Sequence, residues 1–313
     1  MSKVFISVVV PAYNEEKNLP LLFDKLKRTL EDLGRSFEII FVNDASEDST
    51  EQVLTEIQQA NEGVILINLS KRSGKAVALE RGFELVRGDC VVIIDADLQH
   101  DPADIPKLIQ KINEGYDVVS GKRMNRDDPR GKLVTSRLFN MLMRLITGLN
   151  IDDYFSGLKC FRLNVIRFLA LYGDLYRFAA VFAFKEGFKV AEIPVTHYSR
   201  AHGKSTYSKV ARFRLAVRDL IAVMFSITLS RKRVYVLGVL GLLFLSAGLT
   251  LVFVTCYQHG FKDPFQYFYG FLGLCLLFLG AQALIIKRVA DDFYVKHYDE
   301  FKHRQRNVRS VLK

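Results

Sequence analysis

Short apolar runs alternate with amphipathic stretches along the first 123 residues. "VFISVVV" (4–10) is short, β-branched and closed by Pro11, the pattern of a buried strand. A helical pattern follows from about Glu16 to Leu33 and stops at Gly34. "FEIIFVND" (37–44) predicts a second strand, and "DSTEQVLTEIQQA" a helix with Asp48 or Ser49 as its N-cap. "VILINLS" (64–70) predicts a third strand, "GKAVALERGFELV" a helix and "CVVIID" (90–95) a fourth strand. A further helix, "PADIPKLIQKINEG", leads into "YDVVSGKR". Strands alternating with helices imply an α/β fold with a mostly parallel sheet covered on both faces.

Each of these strands ends in polar residues: Asn14-Glu15, Asn43-Asp44, Ser70-Lys71, Asp95-Asp97 and Lys122-Arg123. Ligands of open α/β sheets bind beyond the carboxyl ends of the strands. The polar ends are therefore expected to converge on one rim.

The pattern changes after about residue 208. "KVARFRLAVRDLIAVMFSITLSRKR" (209–233) is basic on one side and apolar on the other, which predicts a helix at a membrane boundary with Arg212, Arg214 and Arg218 toward headgroups. The competing reading is a core-packed helix with a solvated basic face. "VYVLGVLGLLFLSAGLTLVFVTCY" is free of charge for roughly 24 residues, which at about 1.5 Å per residue reaches about 36 Å. "PFQYFYGFLGLCLLFLGAQALII" is similar, with its aromatics at the start like an interfacial belt. These predict a transmembrane hairpin at 234–288, with spans of about 234–257 and 264–286, against the alternative of a buried soluble hairpin. "RKR" (231–233) precedes the first span and "KR" (287–288) follows the second, while the connecting loop carries only Lys262 and Asp263. The positive-inside rule then places both ends in the cytoplasm, with 1–208 as a cytoplasmic domain and 289–313 as a basic tail.

Half of the 313 residues are hydrophobic, and net charge is +10 despite 34 acidic residues. A basic surface suits phosphate-bearing partners such as nucleotides, nucleic acid or anionic lipid. Nucleic acid drops out, because the basic residues cluster beside the apolar runs and no nucleic-acid-binding motif appears. Cys90, Cys160, Cys256 and Cys275 are scattered, without a CxxC pair, and read as buried thiols in a reducing compartment. The opening "MSKVFISVVVPAYNEE" has too short an apolar run for a signal peptide and no small-residue cleavage site.

"VVIIDADLQHDP" places Asp95, Asp97 and Asp101 within seven positions at a strand end. Like charges this close need a cation or a solvent-filled edge to offset their repulsion. If the strand geometry continues, Asp95 and Asp97 point to the same side. Mg²⁺ takes carboxylate oxygens and leaves room for substrate phosphates. The DxD triplet alone is common; its place after "VVII" gives it weight.

Taken in order, "VVVPAYNEE", "FVNDASEDST", "DADLQHDP" and "DYFSG" resemble glycosyltransferase family 2, which has the GT-A fold. With "RAHGKSTYS" and the C-terminal hairpin, the chain resembles the polyprenyl-phosphate glycosyltransferases, among them dolichol-phosphate mannose synthases and bacterial undecaprenyl-phosphate transferases. The resemblance implies that Pro11, Ala12, Tyr13 and Glu15 wrap a nucleotide base, and that Asp44 contacts base or ribose unless it caps the next helix. It implies that Lys75 approaches the nucleotide, although a solvated lysine fits equally well. Asp95, Ala96 and Asp97, with Gln99, would hold the diphosphate and an Mg²⁺ or Mn²⁺ ion. Arg123 would sit by the acceptor phosphate, with Lys132 and Ser136 in an acceptor loop. Asp153 matches the aspartate of a D-x-x-S-G element, and Asp97, Asp153 and Arg123 form the implied catalytic set. Arg200, Lys204 and Ser205 align with a nucleotide clamp. Thr206 departs from the lysine often found there, and Lys204 or Lys209 would substitute.

The implied function is inverting transfer of a sugar from a nucleotide-sugar, UDP-linked by preference, to undecaprenyl or dolichyl phosphate by a membrane-bound homo-oligomer. A GDP-mannose-dependent synthase is the alternative, and a membrane-tethered nucleotide-binding scaffold is the alternative of another class. A processive polysaccharide synthase is disfavoured, since the chain has no tryptophan for a Q-x-x-R-W element.

Overall fold

The computed structural model describes residues 6–124, 140–168, 178–199, 231–257 and 264–311. The chain divides into two compact units, residues 1–223 with 304–313 and residues 224–303. In the first unit β1 (Ile6–Ala12), α1 (Leu19–Asp32), β2 (Phe37–Asn43), α2 (Thr50–Ala60), β3 (Val64–Asn68), α3 (Lys75–Leu85) and β4 (Cys90–Ile93) alternate as expected. A 3₁₀ turn (Pro102–Asp104), α4 (Ile105–Asn113) and β5 (Val118–Arg123) follow, then β6 (Lys159–Arg162) and β7 (Val190–Val195). The seven-stranded sheet has the order β3-β2-β1-β4-β6-β5-β7. Every strand runs parallel to the others except β6, which is antiparallel to both β4 and β5.

The central strands are apolar on both sides because both faces are covered. Ile6, Val8 and Val10 share a core with Leu19, Leu22, Leu26 and Leu30 of α1. Each such leucine contributes about 1.5–3 kcal/mol relative to exposure. On the other face α3 lies so close that a Cβ at Gly82 would stand 2.5 Å from Val9 Cγ1. The chain steps outward from β1 to β2 and β3, then returns to place β4 on the far side of β1. That reversal opens a crevice between the carboxyl ends of β1 and β4, the usual ligand position of such sheets.

Two local expectations are revised, and a third is resolved. Pro11 does not close β1: the strand continues to Ala12, and Pro11 pairs in register with Val42. The β4 ladder ends at Val9, whose carbonyl accepts from Ile94 N, and by alternation the N–H that Pro11 lacks faces the same side, beyond the last β4 pair. Helix α1 begins at Leu19 rather than Glu16, with Pro20 in its first turn. At the head of α2 the N-cap position is Ser49, one of the two expected candidates, while the other, Asp48, accepts from Thr50 N through Oδ1 at 3.0 Å.

A buried polar network ties the amino ends of the strands. Ser7 donates to Glu38 Oε1 at 2.6 Å and accepts from Gly88 N at 2.8 Å. The Arg87 guanidinium reaches Glu38 Oε2 at 2.9 and 2.6 Å. Ser7→Ala would strand the Gly88 N–H and remove a donor from a carboxylate that is 1% exposed. It is expected to cost about 1–3 kcal/mol, read as a lower melting temperature. Ligand binding at the crevice should be unchanged, because the network lies at the sheet edge opposite it.

The second unit contains the helix at Arg231–Tyr257 and the greater part, up to His303, of another at Pro264–Val311. Each is long and apolar enough to cross a membrane, over Tyr235–Tyr257 with mean hydropathy 2.4 and Tyr267–Asp291 with 2.1. The second helix continues through the stretch expected to be a tail. The two pack through glycines spaced seven apart. A Cβ at Gly248 would stand 2.8 Å from the Gly273 carbonyl oxygen, and one at Gly280 2.8 Å from that of Gly241. Small residues permit this close backbone approach. Leu242, Phe253, Phe265, Phe271 and Phe278 are exposed along the helices, unlike the side chains of a buried soluble hairpin.

Candidate active site

The crevice rim is built from strained turns. Asn14, Ala45 and Leu98 are the non-glycine residues with left-handed φ among the described residues, at 54°, 51° and 58°. They follow β1, β2 and β4 respectively. Such conformations cost about 1–3 kcal/mol each and persist where the surroundings over-determine them. Here the loops after β1 and β2 are stitched together. Asn14 N donates to Ser46 Oγ at 3.0 Å, Glu47 N to Asn14 Oδ1 at 2.8 Å, and Glu15 N to Thr50 Oγ1 at 2.9 Å.

The residues expected to receive a nucleotide lie on this rim. Pro11 and Ala12 are the last residues of β1. The Tyr13 ring is covered by Arg72, whose Cζ is 4.0 Å from the ring centroid, a cation–π contact. Glu15 accepts from Asn18 Nδ2 and so braces the entry to α1. Asp44 does not cap α2. Its two carboxylate oxygens accept from Ser73 N at 2.7 Å and Gly74 N at 2.8 Å, tying the end of β2 to the loop that opens α3.

Strand β4 stops at Ile93, and the chain turns at Ala96 and Asp97. Strand alternation therefore does not orient Asp95 and Asp97, contrary to expectation. The three crowded acids instead have separate partners. Asp95 forms an ion pair with Lys75, so Lys75 is not merely solvated. Burial opposes the charge on Asp95, but Lys75 beside it outweighs burial and holds the pKa below the usual value. Asp97, 7% exposed, accepts from Gln99 N at 3.2 Å. Asp101 accepts from Ala103 N at 3.1 Å and from the Tyr198 hydroxyl at 2.9 Å. The exit of β7 fastens this turn, with Tyr198 N donating to the Gln99 carbonyl at 2.9 Å and Gln99 Nε2 to the Tyr198 carbonyl at 3.4 Å. His100 is buried, accepts from Gly157 N at 3.2 Å through Nε2, and is neutral because burial lowers its pKa to about 4.

A second charged cluster lies at the end of β5. Arg123 grips Asp153 in a fork, Nε to Oδ2 at 2.6 Å and the terminal nitrogen to Oδ1 at 2.8 Å. The side chains are 16% and 6% exposed. Burial again opposes the charge, and Arg123 outweighs it, so the Asp153 pKa is lowered. Its stabilising effect is present above the unfolded-state value and is lost as pH falls below it. Neighbouring Asp152 is exposed and pairs with Lys122 and Arg144. Glu192 of β7 accepts the Asp152 and Asp153 N–H groups at 2.9 and 2.7 Å.

Beneath this cluster Lys159 is buried, its ammonium donating to the carbonyls of Tyr154 and Ser156. Burial pushes its pKa down to about 7 from 10.5. Between those values the unfolded chain holds one more proton than the folded chain, so stability rises with pH across that window. Lys159→Met is expected to remove this rise, which amounts to at most about 1.4 kcal/mol per pH unit. Wild-type and variant melting temperatures should diverge between pH 7 and pH 9.

Lys132, Ser136, Arg200, Lys204 and Ser205 lie outside the described residues, as does the 209–230 stretch. Among the expected site residues inside them, the structure joins Lys75 to Asp95 and Arg123 to Asp153, both pairs on the carboxyl-end rim. Sequence reasoning missed His100, Lys159, Glu192 and Tyr198, which fasten the site from below and from β7. The signal for β7 was masked by Pro194, which an edge strand paired only with β5 accommodates.

A reversal crevice with acids after β4 and a single reversed strand between β4 and β5 in the sheet defines a GT-A domain. Residues 7–181 match glycosyl transferase family 2, and the chain belongs to that family. It is 36% identical over 220 residues to an undecaprenyl-phosphate 4-deoxy-4-formamido-L-arabinose transferase of Pseudomonas paraeruginosa, and 35% identical to that of Pseudomonas aeruginosa. Each match covers 70% of this chain but only 65% of the relative's length. Glucosyl-3-phosphoglycerate synthase of Mycobacterium tuberculosis, in complex with Mn²⁺, uridine diphosphate and phosphoglyceric acid, shares the fold. Its TM-score is 0.57 at 21% identity, over 71% of this chain and 78% of that one. The complex of the same synthase with phosphoglyceric acid gives 0.55 at 22%, over 71% and 79%.

Proposed function

We propose that this protein transfers a sugar from a nucleotide-sugar, UDP-linked by preference, to the phosphate of a membrane polyprenol, with inversion at the anomeric carbon. The observation that carries this reading is the pair of charged clusters on one rim: an acidic turn with Lys75 on the donor side, and Arg123 held by Asp153 on the acceptor side. The relatives named as undecaprenyl-phosphate transferases and the two apolar helices support it.

An acceptor phosphate oxygen attacks the anomeric carbon, and the nucleoside diphosphate leaves from the opposite face. A phosphate monoester has a second pKa near 6 and is already mostly ionised at neutral pH, so it needs little help from a base. Asp153 is committed to Arg123 by two hydrogen bonds, which suits it to orienting that guanidinium toward the acceptor phosphate rather than to taking a proton.

Asp95, Asp97 and Gln99 fit a hard divalent ion. All three offer oxygen, and Lys75 keeps Asp95 ionised. Among the described residues no group of three or more His, Cys, Asp or Glu surrounds one point. The protein supplies only part of a coordination shell, the arrangement in which Mg²⁺ or Mn²⁺ keeps positions for substrate phosphates. When bound, the ion offsets the charge gathering on the departing diphosphate. The apolar helices anchor the chain in the bilayer with both termini cytoplasmic, raising the effective concentration of an acceptor that cannot leave the membrane.

Membranes containing the full chain, incubated with a panel of radiolabelled nucleotide-sugars, should place label in extractable lipid only when polyprenyl phosphate is present. Absence of lipid label across UDP- and GDP-linked donors, or nucleotide release indifferent to the acceptor, would overturn the reading.

A further inference from the structure

We propose that His100 and Gly157 are positioning residues that fix the Asp95 carboxylate, so that the turn from Asp153 to Leu158, rather than β4, aims the donor-side acid. A Cβ at Gly157 would stand 2.4 Å from Asp95 Oδ2 and 2.8 Å from its Cγ. No side chain fits there, and the group that would have to yield is the carboxylate itself. The two oxygens of Asp95 thus face different walls: Oδ1 meets the Lys75 ammonium, and Oδ2 meets the bare backbone of Gly157.

The backbone wall is held at several peptide groups. Gly157 N–H donates to His100 Nε2 at 3.2 Å, and the carbonyls of Ser156 and Tyr154 accept from Lys159. His100 is 4% exposed, and its ring meets His197 edge-on at 5.4 Å between centroids, so it has little room to turn. Because the imidazole accepts at Nε2, its proton sits on Nδ1, a buried atom without a protein hydrogen-bond partner. That unpartnered nitrogen marks His100 as a residue whose placement serves the Gly157 contact. The same turn begins at Asp153, the anchor of Arg123. One short segment therefore sets the spacing between the donor-side acid and the acceptor-side guanidinium.

This inference rests on the reading of Asp95 as a diphosphate- and metal-facing residue. Its test is titration calorimetry of Mn²⁺ with UDP on the full-length protein, alongside steady-state transfer and melting temperature. Gly157→Ala should weaken Mn²⁺–UDP binding several-fold and lower kcat about 100-fold, the scale of a misplacement near 1 Å, with KM for the lipid acceptor little changed. His100→Ala should act in the same direction. His100→Gln, whose amide oxygen reaches the place of Nε2, should recover much of the loss. Should Gly157→Ala fail to fold, the His100 pair decides. Wild-type binding and kcat in Gly157→Ala, or a His100→Gln no better than His100→Ala, overturns the inference alone. A wild-type protein that binds no Mn²⁺–UDP overturns the functional reading with it.

Discussion

Exchange of Asp97 for Asn is expected to lower sugar transfer into lipid roughly 100- to 1,000-fold while leaving the fold intact, since electrostatic stabilisers of a transition state carry effects of that size. The fold should survive because Asn keeps an oxygen at the position that accepts Gln99 N–H, and this bond closes the turn after β4. The charge does not survive, and with it goes one of only two carboxylates that the turn offers a divalent ion. Asp95→Asn should lose transfer as well, with a second consequence: the Lys75–Asp95 ion pair is lost. Transfer at rising Mn²⁺ concentration is the informative measurement. A variant that saturates at wild-type turnover would remove the diphosphate-holding role from this turn.

The second large effect concerns Arg123. Its replacement by Ala leaves Asp153 buried without its ion-pair partner, holding the Phe155 N–H at 3.2 Å and the field of Lys159, a change that costs about 3–5 kcal/mol in comparable buried pairs. Transfer to the lipid acceptor should fall sharply while nucleotide-sugar binding persists. The stability loss carries a pH signature. With Arg123 present the Asp153 pKa is lowered, and the pair stabilises the protein above the unfolded carboxylate value. Without it, the largest opposition to burial is gone and Lys159 remains, so the Asp153 pKa rises. The gap in melting temperature should be widest at neutral pH and close as pH falls through the carboxylate range. Adding Asp153→Asn to the Ala variant removes the stranded charge. Stability should largely recover, while acceptor use should not. Recovery of both would reduce the pair to a structural element, and loss of donor binding together with acceptor use would contradict the assigned side of the crevice.

The α/β alternation up to Arg123 was legible because its strands are buried on both faces and its helices carry clean apolar stripes. The strand ends were legible for the same reason, since a polar pair after a wholly apolar run marks where the sheet meets the rim. What followed was less visible. β6 is four residues long, "KCFR", and begins with a lysine, which no alternation rule places in a core. Lys159 is tolerated there because its ammonium finds two backbone carbonyls, a circumstance that only the folded chain supplies. Orientation at the acidic turn was misread for a related reason. Strand geometry was extrapolated two residues past Ile93, but left-handed Leu98 and the contacts from Tyr198 impose another path. The partners of Asp44 and Asp95 come from the start of α3, about 20 to 30 residues away along the chain. Neither is a neighbour that periodicity can show.

The reversed direction of β6 has a consequence for how such a domain diversifies. In a wholly parallel sheet, only segments that leave a strand arrive at the crevice. Lys159 pairs with Ile93, so β6 starts where β4 finishes, and it is the segment entering the strand that reaches this edge. Insertions or rewritten stretches upstream of Asp153 can therefore reshape one wall while β1, β2 and β4, which carry the opposite wall, keep their register. Recognition of two unlike molecules becomes separable in the gene, and one preference is free to drift while the other is conserved.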